Sequence, residues 1–183
     1  MGIALYLTAV DTTPPTVSIS SPQAKEYLHT AIVPVAWTAV DTESGVASES
    51  ATLDGSPVTK GQTVDLLYLA LGPHKVTVTA KDKAGNTGSA SVTFNVVANI
   101  DSLIAAKDRA CALGWIDSAD VCSGLGDKLV AAKGAIERGQ SNTARNQLNG
   151  FLNQLEAQKG RAVNLQAYNL LKADAQYVID HLP

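Results

Sequence analysis

Cys111 and Cys122 are the only two cysteines in the chain. A cysteine pair can hold a metal, cycle redox chemistry or form a structural disulfide. A structural zinc usually needs four ligands, commonly Cys and His. The histidines, His29, His74 and His181, are scattered along the sequence. A thiol redox motif would read C-x-x-C, whereas ten residues separate this pair. A structural disulfide is the favoured reading; buried free thiols and a metal site stand as the alternatives.

A second group is acidic. Asp11 precedes the first strand-like segment, Asp41 and Glu43 follow the second, and Asp82 and Asn86 follow the segment over 74–82. In an antiparallel sandwich these places share one end. Several oxygens gathered there would suit calcium, a hard cation that takes 6–8 oxygen ligands. The competing reading is ordinary turn chemistry, since Asp and Asn side chains bond their own backbone in turns. A structural calcium is the one cofactor the residues raise.

Other chemistry is poorly represented. "SGLGDK" (123–128) lacks the full phosphate-loop spacing and falls inside a predicted helix rather than after a strand. No G-x-S-x-G elbow or H-E-x-x-H pair occurs, so the chain is expected to be non-catalytic. Aromatic residues make up 5%. Trp37 shares a face with Val33 and Val35 and is expected in a core. Trp115 plugs a turn or serves as a contact. Tyr27, Tyr68, Tyr168 and Tyr177 form no platform visible in the sequence.

The elements that must position these residues change character halfway along the chain. Residues 14–97 are rich in Val, Thr, Ser, Ala and Ile, with turn residues between short runs. Strands are predicted over 16–20, 31–40, 47–55, 74–82 and 89–97, and 63–71 is either a strand or a loose turn. Short strands, about seven at spacings near ten residues, describe an antiparallel β-sandwich. From Asn99 onward apolar residues recur at helical spacing. Four helices are predicted over 101–113, 118–138, 142–159 and 164–182, with Gly114, Gly139 and Gly160 as stops. Asp117 or Ser118 caps the second, and Ser141 or Asn142 the third. Short loops make successive helices antiparallel, giving a small four-helix bundle. Cys111 and Cys122 then lie on opposite arms of a helical hairpin, within disulfide reach.

The 183 residues carry a net charge of −3 and 45% hydrophobic residues, enough for a packed core. Before residue 98 there are 8 acids and 5 Lys/Arg; after it there are 9 of each. Without a basic cluster, nucleic acid is not an expected partner. No apolar run approaches the roughly 20 residues that span a bilayer, so no membrane insertion is expected. "MGIALYLTAV" lacks the basic start and A-x-A site of a signal peptide. Residues 1–10 are expected to be a cloning start or the tail of an upstream segment.

Two stretches resemble known families. "DTTPPTVSI", "DTESGV" and "LGPHKVTVTAKDKAGNTGSASVTFNV", within 11–97, resemble bacterial Ig-like modules. The antibody-type Cys…Trp…Cys arrangement is absent. "IDSLIAA", "GWIDSADVCSGLGDKLVAAKGAIERG", "ARNQLNGFLNQLEAQKG" and "LLKADAQYVI", over most of 100–182, resemble the FIMAH-type helical domain of secreted bacterial enzymes. The resemblances imply an Ig-like sandwich at 11–97 and a helical bundle at 99–183, with no catalytic residues to carry over.

The expected function is a non-catalytic spacer and interaction region at the C-terminus of a larger secreted bacterial protein. That parent is expected to be a polysaccharide-acting or other exported hydrolase. The alternative is a carbohydrate-binding module tethering the parent to a polymer. Expected partners are upstream domains of the same chain and an extracellular polysaccharide or cell-surface protein, with the chain itself monomeric. A disulfide implies an oxidising, extracellular setting. The short junction "VVANID" (96–101) implies modules that pack or hinge narrowly.

Overall fold

The computed structural model describes residues 10–183; the predicted leading tail, apart from Val10, lies outside them. Nine strands come first: β1 Thr16–Ser21, β2 Glu26–Leu28, β3 Ile32–Pro34, β4 Ala36–Val40, β5 Val46–Leu53, β6 Ser56–Val58, β7 Thr63–Asp65, β8 Gly72–Asp82 and β9 Thr87–Val97. A 3-10 turn, Leu66–Tyr68, lies between β7 and β8. Four helices follow: α1 Ile100–Ala112, α2 Ala119–Glu137, α3 Ser141–Gln158 and α4 Leu165–Asp180.

The strands form three sheets: β1-β4, the five-stranded β2-β9-β8-β5-β6, and β3-β7. Alternation of apolar and polar residues sets the buried face. On β8, His74, Val76, Val78, Ala80 and Asp82 are buried while the residues between them are not. β5 lies antiparallel to β8 with Ala51 opposite Val78 and Leu53 opposite Val76, so buried residues stand side by side. β1 pairs antiparallel with β4, placing Ile19 opposite Trp37. β2 runs parallel to the end of β9.

The strand predicted over 31–40 is interrupted at Val35. Its N–H donates to the Gln62 carbonyl and its carbonyl accepts from the Gly61 N–H, bonds that Pro34, lacking an N–H, could not complete. Val33, Val35 and Trp37 are nevertheless all buried. Trp37 is the core residue the alternation predicts, and its Nε1–H donates to Glu49 on β5 at 2.6 Å. The ambiguous segment 63–71 is both things in turn, strand β7 and then the 3-10 turn.

The helices follow the predicted spans closely because their apolar stripes and stops are strong. Asn99 and Ser102 cap α1 reciprocally. The Ser118 side chain caps α2 and Asn164 caps α4. The predicted cap of α3 is corrected: Ser141 is already its first helical residue, and Gln140 holds the cap position without a side-chain bond. Gly114 has φ 70° and Gly139 φ 68°, a left-handed conformation that glycine adopts without steric cost. α1 and α3 each pack against α2 and α4. Leu103, Leu125, Leu129, Leu148, Phe151, Leu155 and Leu171 are fully enclosed in one cluster. Such burial is worth about 1.5–3 kcal/mol per side chain.

The chain divides into two compact units. One comprises residues up to Lys25, Val33–Val64 and His74–Phe94. The other comprises Glu26–Ile32, Asp65–Pro73 and Asn95–Pro183. Secondary structure changes type between Val97 and Ile100, but the helical unit also takes up two short segments from the strand-rich half. The reason is apolar: Leu67 and Ala98 are buried in the helical cluster, and Leu71 packs against it.

Candidate functional site

Cys111, near the end of α1, and Cys122, in the first turn of α2, are joined as a disulfide with Cα atoms 6.2 Å apart. The turn between them is built by its own backbone. The N–H groups of Trp115 and Ile116 both donate to the Ala110 carbonyl at 2.9 and 3.3 Å, and that of Asp117 donates to Ala162. Ile116 is buried and bridges to Val163, so it plugs the end of the bundle. Trp115 is half-buried, its ring edge-to-face with Tyr68 at 5.7 Å and 79°.

At one pole of the strand-rich unit, Asp11, Asp41 and Asp82 each bring a carboxylate oxygen within 4.8 Å of the others. Each is fixed by its loop. Asp41 Oδ1 accepts from the Ser44 and Gly45 N–H groups at 2.9 and 2.7 Å. Asp82, only 2% exposed, accepts from the Gly85 and Asn86 N–H groups through Oδ1. Asn86 turns its side-chain amide to Asp82 Oδ2 at 2.8 Å and to the Asp11 carbonyl at 3.1 Å, so it braces the two acids. Glu43 stands outside the trio and accepts from the Thr13 hydroxyl. The Ser44 side chain and the Thr13 amide hold the Asp11 carboxyl below the usual aspartate range. Among the described residues, Asp11 Oδ2 is enclosed and has no hydrogen-bond partner within bonding distance. An anionic oxygen without a donor beside two further carboxylates fits a cation, though calcium would need additional oxygens.

The helical unit contains a buried pair that sequence reasoning missed. His29 Nδ1 lies 2.5 Å from Asp174 Oδ1, and His29 Nε2 lies 2.9 Å from the Leu69 carbonyl. His29 is 2% exposed and Asp174 0%. With a carbonyl at one ring nitrogen, Nε2–H donates there and one proton is shared between Nδ1 and Oδ1. Burial disfavours the imidazolium, but the hydrogen bond and charge of Asp174, helped by the Leu69 carbonyl and Asp65, outweigh it and raise His29. Burial also raises Asp174 against the pull of His29. The pair therefore keeps its proton above the range of an ordinary histidine. The two residues are 145 positions apart, and no local pattern links them.

Nearby, Asp65 caps the 3-10 turn through the Leu67 N–H and receives both guanidinium ends of Arg109. Arg109 is the main reason that the Asp65 carboxyl lies below its usual range. No described helix is long and apolar enough to cross a membrane.

Comparison with known proteins follows this architecture. Residues 10–97 match the model of the HYR domain and residues 100–180 that of the FIMAH domain. No curated protein matches the chain. Among solved structures, the chain is similar to the fibronectin(III)-like modules of Clostridium thermocellum CbhA, at 19% identity and TM-score 0.37, over 45% of this chain and 46% of that one. It is similar to the endo-beta-1,4-mannanase from Thermotoga petrophila, at 17% identity and TM-score 0.39, over 48% of this chain and 20% of that one. It is also similar to the PKD1 domain of Vibrio anguillarum Epp, at 16% identity and TM-score 0.35, over 47% and 96%. It thus spans under half the length of the first two. From strand pattern, helical bundle and family matches together, the chain is an Ig-like module of the HYR type followed by a FIMAH domain.

Proposed function

We propose that this chain is a non-catalytic accessory region of a larger secreted protein, a polysaccharide-acting or other exported hydrolase. The observation that carries the reading is the pairing of an HYR domain with a FIMAH domain. The Cys111–Cys122 disulfide supports an oxidising, extracellular setting. The buried polar groups support a structural role: His29 has partners at both ring nitrogens, and both oxygens of Asp82 accept hydrogen bonds. The Ig-like module spaces, the bundle makes contacts, and the partners are upstream domains of the same polypeptide, with the region monomeric. The Asp11, Asp41 and Asp82 trio holds one structural calcium, with the enclosed Asp11 oxygen as its strongest support.

Incubation of the purified chain with a panel of polysaccharides and ester and peptide substrates tests the non-catalytic claim. The expected result is no product above the buffer blank. Turnover that co-purifies with the chain and scales with its concentration would overturn it.

A further inference from the structure

We propose that the pocket between the Leu66–Tyr68 turn and α4, within the helical unit, binds one uncharged pyranose residue of a polysaccharide. This goes beyond the accessory role, since a spacer requires no ligand. The cavity measures about 380 Å³ and is lined by His29, Leu67, Tyr68, Gln166, Asn169 and Leu170 among others. That volume lies in the range of small-molecule sites, about 300–1,000 Å³.

The lining specifies the ligand's chemistry. Tyr68 is 58% exposed, so part of its ring is open to a ligand, and tyrosine suits sites where one end is apolar and the other wet. It is also held in place. Asp65 caps the turn that carries it, Arg109 clamps Asp65, and Trp115 meets its ring edge-to-face. Gln166 and Asn169, three residues apart on α4, share one helix face. Both are exposed, and neither side-chain amide has a hydrogen-bond partner among the described residues. Leu67 and Leu170 add apolar wall.

Charge narrows the choice further. Among the described residues, no Lys, Arg, Asp or Glu lines the cavity. His29 is the single titratable imidazole there, and its nitrogens are committed to Asp174 and the Leu69 carbonyl. An anionic ligand would find no free cation, and a cationic one no free carboxylate. A flat C–H face for the tyrosine and leucines, with hydroxyls at the rim for two amides, describes a neutral pyranose.

The test is calorimetric titration of the whole chain with cellohexaose, mannohexaose and xylohexaose, and with hexagalacturonate as the charged comparison. At least one neutral hexasaccharide is expected to bind and to perturb the α4 amide resonances around Gln166 and Asn169. Tyr68→Ala and Asn169→Ala are each expected to weaken that binding by about tenfold, the equivalent of one good contact. Asn169 is exposed on the helix surface, so this variant keeps the fold if Tyr68→Ala does not; unchanged thermal melting verifies it. No binding by any neutral hexasaccharide at about 10 mM, far weaker than ordinary recognition, would overturn the proposal. So would binding indifferent to Asn169→Ala, or hexagalacturonate binding as tightly as the neutral sugars. Any of these failures leaves the non-catalytic accessory reading standing, because that reading is tested by turnover.

Discussion

At the scale of single residues, the structure depends on a few side chains placed far apart in sequence. Gly88 on β9 shows the simplest constraint. A Cβ there would sit 1.9 Å from the Pro15 carbonyl oxygen, and backbone cannot move aside as a flexible side chain can. Gly88→Ala is therefore expected to destabilise the fold by about 1–3 kcal/mol, read as a lower urea midpoint. An unchanged midpoint would show that the backbone at Pro15 shifts easily away from β9. The His29–Asp174 pair gives a pH-dependent prediction. Both groups hold protons more firmly in the folded than in the unfolded chain. The folded state thus binds more protons from about pH 4, where an unfolded aspartate titrates, through Asp174, and additionally from about 6.5, where an unfolded histidine titrates, through His29. Stability is expected to fall as pH rises from those points through the raised folded values. Asp174→Asn is expected to flatten this slope. His29→Ala, which strands a buried carboxylate, is expected to cost about 3–5 kcal/mol at neutral pH. Urea melts across pH 6–9 read both; a wild-type slope retained in Asp174→Asn would contradict the assignment.

At the scale of elements, the helices were the most legible part. Apolar residues at 3.6-residue spacing and glycine stops define them without help from distant parts of the chain. The same legibility placed Cys111 and Cys122 across a helical hairpin. Their bond closes a short loop. In a chain-entropy account, replacing both by serine is expected to cost about 3 kcal/mol, measurable by thermal melting against the oxidised wild type. A change below about 0.5 kcal/mol, the size of an ordinary surface substitution, would mean the turn is already fixed by the Ala110 and Ala162 carbonyls. The strand-rich half was less legible. The break at Val35 depends on Gly61 and Gln62, which its own sequence does not reveal. The absent cap on α3 escaped because two good capping residues happen to follow the true boundary. At the acidic pole, Asp11, Asp41 and Asp82 were visible as turn acids, whereas only folding separates them from Glu43 and makes Asn86 a brace. Millimolar calcium is expected to raise the melting temperature by about 5 °C or more, and Asp82→Asn to abolish the shift. No shift in the wild type would exclude a calcium site.

At the scale of the whole molecule, the switch from strands to helices could be read from composition and periodicity alone. The compact units could not. Residues 26–32 and 65–73 carry strand or turn patterns, yet they count with the helices because Leu67 and Leu71 join that apolar cluster and His29 meets Asp174. Those contacts are long-range, so local pattern carries no trace of them. The pairing of Tyr68 with Trp115 is hidden for the same reason. In the role proposed above, this region would support the activity of a larger hydrolase without performing it. The most direct test of that role is the natural polypeptide that carries residues 11–183, expressed with and without them and assayed on a small soluble substrate of the full-length protein. The expected result is kcat unchanged within about twofold, a difference of about 0.4 kcal/mol in the barrier. Loss of turnover in a shortened protein that remains folded would contradict it.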